Sequence, residues 1–400
     1  MSERVVVGVR FAYETSPEIT ELLRTFRDMV NYCIEQALRY GVTSFMRLRK
    51  LIYEDFKARW PDYHSHYCYS AVRIACSMLK SWRKLVRRGQ ADPDKPPRMR
   101  KLFIRFSPFL TKLVDGKLRI SVRPRRQFIY VKLIYGSYQA KFIEAWHRGE
   151  VKMGEVVMNE RWVVIPFIKY VDLEEPSEAI AIDVNEGNIT AVDSQGNCYR
   201  WDISEAKRIR HAYFELRREA QEKWHNKPRV LKRVMAKLGR RERARIEAIL
   251  HRVSKQIVEV AKGKLIILEN LKGIRKRIKY GRKMNRRLHS WPFRKLQSMI
   301  EYKAKWLGTP VRYIDPRGTS TRCPICGERL ENPEWHRVRC PRCVYEADRD
   351  VIACLNLLKM WGAGGLPTRP LMTLPDGGSE RGKKPTLING VNLDSFGWLK

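Results

Sequence analysis

The first hundred residues show a strand pattern followed by two helical patterns. The segment VVVGVRFAYE is rich in β-branched residues and ends in polar ones, as is typical of a strand. Apolar residues then recur at helical spacing from Ile19 to Leu38, after a Ser16–Pro17 pair that suits a helix N-cap and the first helical position. The stretch from Ser70 to Arg88 repeats this spacing with basic residues around it. These patterns predict one strand followed by a small basic helical bundle.

Short alternating segments follow the proline-rich boundary ADPDKPPRMRK and extend from about Leu102 to Tyr170. They predict antiparallel strands of a barrel or sandwich, and we expect the first strand of the chain to complete that sheet. The predicted organisation is a β-barrel-like domain over residues 1–14 and 95–172, into which residues 15–94 are inserted as helices.

A different pattern begins after EEPSE. The segment AIAIDVNEGNITAVDSQGNCYRWDI predicts three strands joined by turns, and long basic helices extend from about Ser204 to Lys262. The strand KLIILEN, the helix FRKLQSMIEYKAKWLG and the strand VRYIDP follow. This order implies a mixed α/β sheet flanked by helices, which we assign to residues 173–317 and 345–361. The Gly- and Pro-rich residues 362–400 are expected to be disordered.

The charge balance of the 400 residues indicates a polyanionic partner. Eighty Lys and Arg against 43 Asp and Glu give a net charge of +37 at pH 7. A solvated or thermophilic surface explains a high charged fraction but not this imbalance of sign, so nucleic acid is the expected partner. An acidic membrane surface is the alternative. However, no run approaches the roughly 18 apolar residues of a spanning helix, and the opening MSERVVVGVRF lacks a signal peptide's apolar stretch. We expect no membrane association and a cytoplasmic location.

Four of the nine cysteines form two CxxC pairs, Cys323/Cys326 and Cys340/Cys343, separated by thirteen residues. Paired CxxC knuckles place four thiolates around Zn²⁺, so the spacing predicts a zinc ribbon over residues 318–344. Because all four ligands are thiolates, the site is closed and structural, and metal binding supplies much of the ribbon's folding free energy. An odd number of unevenly spaced cysteines argues against a disulfide framework.

Three acids are candidate metal ligands. Asp183 and Glu269 each end a strand predicted to be interior, where an acid is costly unless it pairs or binds a metal; taken singly, each is more often a solvated strand end. In ADRDVIACLNLL, Asp348 and Asp350 both suit the N-cap of an apolar helix. Asp183, Glu269 and Asp350 can converge at one edge of a mixed sheet and bind Mg²⁺ for two-metal phosphodiester hydrolysis. Asp348 is the other candidate for the ligand position, but we assign the cap to Asp348 and the ligand role to Asp350.

The elements AIDVNEGNITAVD, IILENLKGI, TSTRCPICG…CPRC and ADRDVIACLNLL, in this order and at these separations, resemble the transposon-encoded TnpB family, compact relatives of type V CRISPR effectors. The resemblance implies an RNA-guided DNA endonuclease with a RuvC-like RNase H fold and a zinc ribbon inserted before the last acid. It also implies a β-barrel-like (wedge) domain with a helical recognition insertion that holds a guide RNA and recognises a motif beside the DNA target. The implied catalytic, magnesium-binding residues are Asp183, Glu269 and Asp350. The implied zinc ligands are Cys323, Cys326, Cys340 and Cys343.

Two positions depart from the family pattern. The run AIDVN lacks the glycine that usually follows the first acid, and Ile352 stands where the last motif usually has Asn. Without an amide one turn from the metal site, we expect the position of the metal ions or the efficiency of catalysis to differ from the family's. It also keeps a nuclease-impaired, RNA-guided repressor as an alternative function.

The segment from Leu271 to Trp291 contains nine Lys or Arg between Lys272 and Arg287. It suits a solvated loop, but beside an active site it also suits guidance of a single strand or guide duplex, with Tyr280 and Trp291 available for stacking. A guide-free zinc-ribbon protein that binds nucleic acid is a further alternative, and it would not co-purify with a distinct RNA.

Overall fold

The computed structural model describes residues 2–173, 176–271, 281, 284–285, 291–334, 336–362 and 386–387. It divides the chain into two compact units, one of Arg4–Tyr170 and one of Met1–Glu3 with Val171–Lys400. Most of residues 362–400, for which disorder was predicted, lie outside the described residues. Within the described part of the chain, no helix is both long and apolar enough to cross a membrane.

The first unit combines an antiparallel sheet with helices. Its elements are β1 (Ser2–Tyr13), α1 (Pro17–Arg39), α2 (Phe45–Arg59), α3 (His66–Val86), β2 (Phe103–Arg105), β3 (Thr111–Val114), β4 (Lys117–Arg123), β5 (Gln127–Ile134), α4 (Ser137–His147), β6 (Lys152–Met153), β7 (Val157–Asn159) and β8 (Val163–Asp172). The strand order is β2-β7-β8-β1-β5-β4-β3, with β6 paired to β8. The first strand therefore completes the sheet, and three helices separate it in sequence from the next strand. Barrel-like closure stays a prediction.

Local patterning explains the first two elements. Along β1, every second residue from Val5 to Tyr13 is buried, which is the period of a strand with one face on a core. Helix α1 begins as predicted, because the Ser16 side chain accepts a hydrogen bond from the Ile19 backbone N–H and Pro17 occupies the first turn. Helix α3 begins at His66, four residues earlier than the apolar spacing had indicated.

The second unit is a mixed α/β fold with a small additional sheet. Its elements are β9 (Ala179–Val184), β10 (Asn188–Asp193), β11 (Cys198–Asp202), α5 (Ser204–Trp224), α6 (Pro228–Val260), β12 (Leu265–Glu269), α7 (Phe293–Trp306), β13 (Val311–Ile314), β14 (Glu331–Glu334), β15 (Arg337–Arg339), β16 (Glu346–Asp348), α8 (Arg349–Trp361) and β17 (Thr386–Leu387). The main sheet has the order β13-β12-β9-β10-β11-β17, and β14-β15-β16 form a separate sheet. Strand β12 pairs in parallel with both β9 and β13, whereas the β9-β10-β11 meander is antiparallel. The predicted mixed sheet is confirmed.

Strand β9 lies at the centre of this sheet and is buried along its whole length. Its Ile180 and Ile182 belong to one apolar cluster, which includes residues of α6 and α7. Ala179 and Ala181 belong to a second cluster, on the opposite face, which includes residues of α8. Since alternate residues of a strand point to opposite faces, Asp183 shares the face of the two alanines and lies on the α8 side of the sheet.

Candidate active site and metal centre

The same alternation places polar residues from four strands on the α8 face of the sheet. In β12, Leu265 and Ile267 pack in the α8 cluster, so Glu269 follows on that face. In β10, Val192 packs there, so Asn188 has the same parity. In β11, Cys198 packs there, which gives Arg200 the same orientation. Helix α8 packs on this face and carries Asp350 in its first turn, so the three predicted acids lie on the same side of the sheet.

Asp183 is buried and close to the other two acids. Its Oδ2 accepts a hydrogen bond from the Asn185 side-chain amide at 2.7 Å. Burial, followed by the negative charges of Glu269 and Asp350, raises the pKa of the Asp183 carboxyl well above its ordinary value, although the hydrogen bond from Asn185 opposes this shift. The fold therefore holds an acid in a place that disfavours its charge unless a cation is present.

Asp350 and Asp348 divide two roles at the start of α8. Asp348 is the N-cap, and its Oδ1 accepts the Asp350 backbone N–H at 2.8 Å, which confirms the capping prediction. The Asp350 carboxylate points elsewhere, because its Oδ2 accepts the side-chain amide of Asn188 at 2.8 Å. The guanidinium of Arg200 lies beside both acids, with Nη2 3.4 Å from Asp348 Oδ2 and 3.5 Å from Asp350 Oδ2.

Glu269 is half-buried at the end of β12 and is held by groups that follow it in the chain. Its Oε1 accepts the Thr319 hydroxyl at 3.1 Å, and its backbone carbonyl accepts the Gln297 side-chain amide at 2.7 Å. Burial raises the pKa of the Glu269 carboxyl, the Thr319 hydrogen bond lowers it, and the charge of Asp350 raises it again. Each of the three acids is thus oriented by a neutral amide or hydroxyl.

The arrangement suits a hard divalent cation. The charges of Glu269 and Asp350 act on Asp183, and one guanidinium lies beside Asp350. Neutral donors orient the carboxylate oxygens without cancelling their charge. Carboxylate oxygens are the ligands that Mg²⁺ prefers, and a cation there would favour the ionised forms that burial disfavours. The residues present therefore fit a divalent metal.

The four paired cysteines form a compact cluster in which all four Sγ atoms lie within 4.8 Å of one another. The two knuckles have the same backbone form: Gly327 N–H donates to the Cys323 carbonyl and Val344 N–H to the Cys340 carbonyl, each at 3.0 Å. Both turning residues have positive φ, which is costly for the β-branched Val344. Four thiols in this geometry indicate a zinc site.

The thiols differ in their local electrostatics. The backbone N–H of Cys343 approaches Cys340 Sγ at 3.5 Å, and this hydrogen bond lowers the pKa of the Cys340 thiol to about 7. Burial raises the pKa of the Cys323 thiol. Zinc binding requires thiolates, so the knuckle amides favour the metal-binding form at Cys340.

Ile352 has a defined structural position. It is fully buried and packs in the ribbon's own apolar cluster. The buried members of that cluster are Cys323, Leu330, Val338, Cys340, Ala347 and Ile352. The amide that reaches Asp350 comes instead from Asn188, on β10.

The stacking role predicted for Trp291 is wrong. Trp291 is 1% exposed and packs in the sheet's core cluster, with Phe293 against it at 6.2 Å between ring centroids. A large ring just before α7 fills space against the sheet, although its basic sequence neighbours had indicated a surface position. Tyr280, with most of the basic segment around it, lies outside the described residues.

The sequence had not identified four residues at the site, namely Asn185, Asn188, Arg200 and Thr319. Asn185 and Asn188 flank the turn between β9 and β10, where asparagine is expected for turn formation alone. Arg200 is one of 80 basic residues. The alternation of side chains along β10 and β11 could have indicated that Asn188 and Arg200 face the same side of the sheet as the acids. That inference also needs the register between the strands, which the sequence did not provide.

Two family models match the chain. Residues 293–357 match a model described as "Cas12f1-like, TNB domain", and residues 22–121 match one described as "Uncharacterized protein MJ0013 family". The first of these spans α7, the ribbon and most of α8.

Curated relatives extend the similarity. A TnpB-like protein of Methanocaldococcus jannaschii, MJ0751, is 39% identical over 274 residues, which are 66% of this chain and 98% of that protein. A second from the same organism, MJ1635, is 26% identical over 74% of this chain and 69% of its own length. The CRISPR-associated endodeoxyribonuclease Cas12f1 of Syntrophomonas palmitatica is 34% identical over 34% of this chain and 27% of its own length.

Solved structures give a weaker likeness. A cryo-EM structure of a Cas12f1–sgRNA–target DNA complex covers 89% of this chain and 98% of its own, at 13% identity and a TM-score of 0.47. A structure of the mini-RNA-guided endonuclease CRISPR-Cas_phi3 covers 90% and 92%, at 10% identity and the same TM-score. TM-scores of this size do not establish a shared fold.

Proposed function

The chain belongs to the family of TnpB-like proteins, and from this membership we propose that it is an RNA-guided DNA endonuclease encoded by an insertion-sequence-type transposon. The similarity to a protein named as a CRISPR-associated endodeoxyribonuclease supports the nuclease class. The observation that carries the proposal is the convergence of Asp183, Glu269 and Asp350 on the α8 face of the sheet, close enough that the latter two raise the pKa of the first.

In this proposal the α/β unit is a RuvC-like nuclease with Asp183, Glu269 and Asp350 as catalytic residues that hold Mg²⁺. When bound, a pair of such ions activates a water molecule and stabilises the leaving oxygen of a phosphodiester. The protein's own contribution is orientation: Asn185 and Asn188 fix the two aspartates, and Thr319 fixes the glutamate. Arg200 balances part of the acids' charge beside Asp350.

The remaining parts take supporting roles. Zn²⁺ held by the four cysteines stabilises the ribbon and takes no part in chemistry, because four thiolates leave no open position. The β-barrel-like domain and its basic helices hold the guide RNA and recognise a short motif beside the target, and base pairing reads the target sequence. The net charge of +37 supports binding of both RNA and DNA.

The test begins with the RNA that co-purifies with the protein. Sequencing should return one defined RNA species, and the complex should cleave DNA that matches this RNA when Mg²⁺ is present. Asp183→Ala should abolish cleavage while leaving RNA binding intact. The matched control is Asp172→Ala, which removes another strand-end acid that is exposed and outside the site.

Each outcome separates the alternatives. Guided DNA binding without cleavage in the wild type indicates a nuclease-impaired repressor. A protein without a defined RNA indicates a guide-free zinc-ribbon nucleic-acid-binding protein. Equal cleavage by wild type and Asp183→Ala would overturn the assignment of the acids.

A further inference from the structure

One face of helix α8 is a contact surface for the zinc ribbon. Ile352, Asn356 and Lys359 are spaced i, i+4 and i+7, so they lie on the same side of the helix. Ile352 packs with Cys323 and Cys340, and Lys359 Nζ donates to the Pro324 carbonyl at 2.9 Å, inside the first knuckle. The helix that carries Asp350 is therefore attached directly to the metal-binding loop.

Asn356 connects the helix to the segment that leads into the ribbon. Asn356 is 9% exposed, and its side-chain amide donates to two backbone carbonyls, that of Thr319 at 2.7 Å and that of Arg322 at 2.8 Å. Arg322 directly precedes the zinc ligand Cys323. Both carbonyls are held by one buried amide, so the backbone from Thr319 to the knuckle has a fixed position relative to α8.

Thr319 connects this fixed segment to the candidate active site. It is 2% exposed, and its hydroxyl lies 3.1 Å from Glu269 Oε1 and 2.9 Å from the Pro316 carbonyl. A hydroxyl has a single hydrogen, so the backbone on both sides decides whether that hydrogen serves the carboxylate or the carbonyl. A small shift of the segment would release Glu269.

We propose that the zinc ribbon positions Glu269, with Thr319 as the positioning residue that links the two metal centres. Closing the four-cysteine site holds the segment from Thr319 to Cys326 against α8, and the Thr319 hydroxyl then holds the Glu269 carboxylate for a divalent ion. This inference rests on the proposed function only in taking the three acids as ligands of that ion. It makes divalent-metal affinity at the acids depend on zinc, although the two metals share no ligand.

The test measures binding of Mn²⁺, as a spectroscopic stand-in for Mg²⁺, to the zinc-loaded protein by electron paramagnetic resonance, without RNA or DNA. Thr319→Val, which keeps the shape and removes the hydroxyl, should weaken Mn²⁺ binding about 10- to 100-fold. Thr319→Ser, which keeps the hydroxyl, should stay within about threefold of wild type by the same reasoning. Equal affinity in wild type and Thr319→Val would overturn the inference.

A second measurement asks whether zinc acts through Thr319. Selective removal of zinc should weaken Mn²⁺ binding in the wild type. In Thr319→Val it should cause little further weakening, because zinc removal and the substitution would both disrupt the same hydrogen bond to Glu269. An equal effect in both proteins would overturn the link. Lys359→Met loses the hydrogen bond to the Pro324 carbonyl and keeps the length of an exposed side chain, so it provides a mild variant that keeps the fold. It should make zinc easier to remove and should weaken Mn²⁺ binding at the same time.

Failure of the inference differs from failure of the proposed function. Asp183→Ala should abolish the Mn²⁺ signal assigned to the acids. If the wild type shows no Asp183-dependent binding, the metal site itself is wrong and the coupling is refuted with it. If that binding is present but indifferent to Thr319 and to zinc, the nuclease proposal stands and only the coupling fails.

Discussion

The side-chain amide of Asn188 donates a hydrogen bond to Asp350 Oδ2 at 2.8 Å, joining the first residue of β10 to the first turn of α8 across 162 positions of the sequence. The bond fixes the rotamer of an acid that ends up 4% exposed. Asn188 thus supplies an amide to Asp350, whereas position 352 of the same helix is isoleucine. The amide and the acid come from different elements, so their pairing depends on the docking of the helix on the sheet.

Asn188→Ala is expected to lower Mg²⁺-dependent DNA cleavage about 10- to 100-fold, the usual cost of losing a group that orients a metal ligand. The loss should appear as a higher Mg²⁺ concentration for half-maximal rate, measured in single-turnover cleavage. Asn226→Ala, at an exposed position between α5 and α6, is the matched control and should leave the rate unchanged. An unchanged Mg²⁺ dependence in Asn188→Ala would show that Asp350 needs no such support.

Asp183→Asn is expected to stabilise the metal-free protein, and more so at pH 8 than at pH 5. The folded-state pKa of Asp183 is raised above its unfolded value, mainly by burial. The folded state therefore binds more protons, and stability falls as pH rises from about 4, the unfolded pKa, towards the folded one. Asparagine has no charge and removes this penalty. Thermal melting at the two pH values, in buffer without added Mg²⁺, measures the difference.

A smaller gain at pH 8 than at pH 5 would contradict the raised pKa of Asp183. The same pair of melting curves for Asp172→Asn should show no such trend, because that acid is exposed at the end of β8.

Ile352→Asn is expected to destabilise the protein without improving cleavage. The side chain lies in the ribbon's apolar cluster, so an amide there would be buried without partners, at a cost of about 1–3 kcal/mol. Ile352→Val, which removes one methylene group, should cost about 0.5–1.5 kcal/mol. Denaturant unfolding of both variants, together with their cleavage rates, gives the comparison. A faster and equally stable Ile352→Asn variant would mean that position 352 faces the acids instead of the ribbon.

Cys340→Ser is expected to reduce bound zinc from about one ion per chain to none, since a structural site needs all four thiolates. Hydrogen exchange should then increase in the amides of β14, β15 and β16, because the ribbon's apolar cluster is small and includes two of the four zinc-binding cysteines. Cys76→Ala removes a buried single cysteine of α3 and should retain the metal. Retention of zinc by Cys340→Ser would contradict the four-thiolate site.

The parts of the fold that follow from periodicity were predictable. The buried run of β9, the helical stripe of α1 and the two knuckles are local patterns, and each occurs where its spacing indicated. Helix α2 falls within the predicted helical insertion, but its bounds were not predicted, and helix α4 was not predicted at all. Helix α4 has only two buried residues, Phe142 and Ile143, too few to give an apolar stripe in the sequence.

The candidate site was predictable in its charges but not in its supports. Their positions at the ends of strands identified Asp183 and Glu269 as unusual. Burying an acid after an apolar strand costs free energy whatever the topology of the sheet. Their partners Asn188 and Thr319 lie in a turn and a loop, where polar residues are ordinary. Asn188 gains a role because the fold places the start of β10 beside α8, where Asn188 reaches Asp350. Thr319 gains a role because the segment that leads into the ribbon passes the end of β12, where Thr319 reaches Glu269.

The position of Asp350 has a consequence for synthesis of the protein. Strands β9 and β12, with the first two acids, leave the ribosome long before α8, which begins at Arg349 and packs against both. A nascent or prematurely terminated chain that ends before α8 therefore contains two of the three acids and lacks the helix that covers them. Under the proposed function, an incomplete copy of this protein would lack Asp350, and DNA cleavage would begin only after α8 has docked on the sheet.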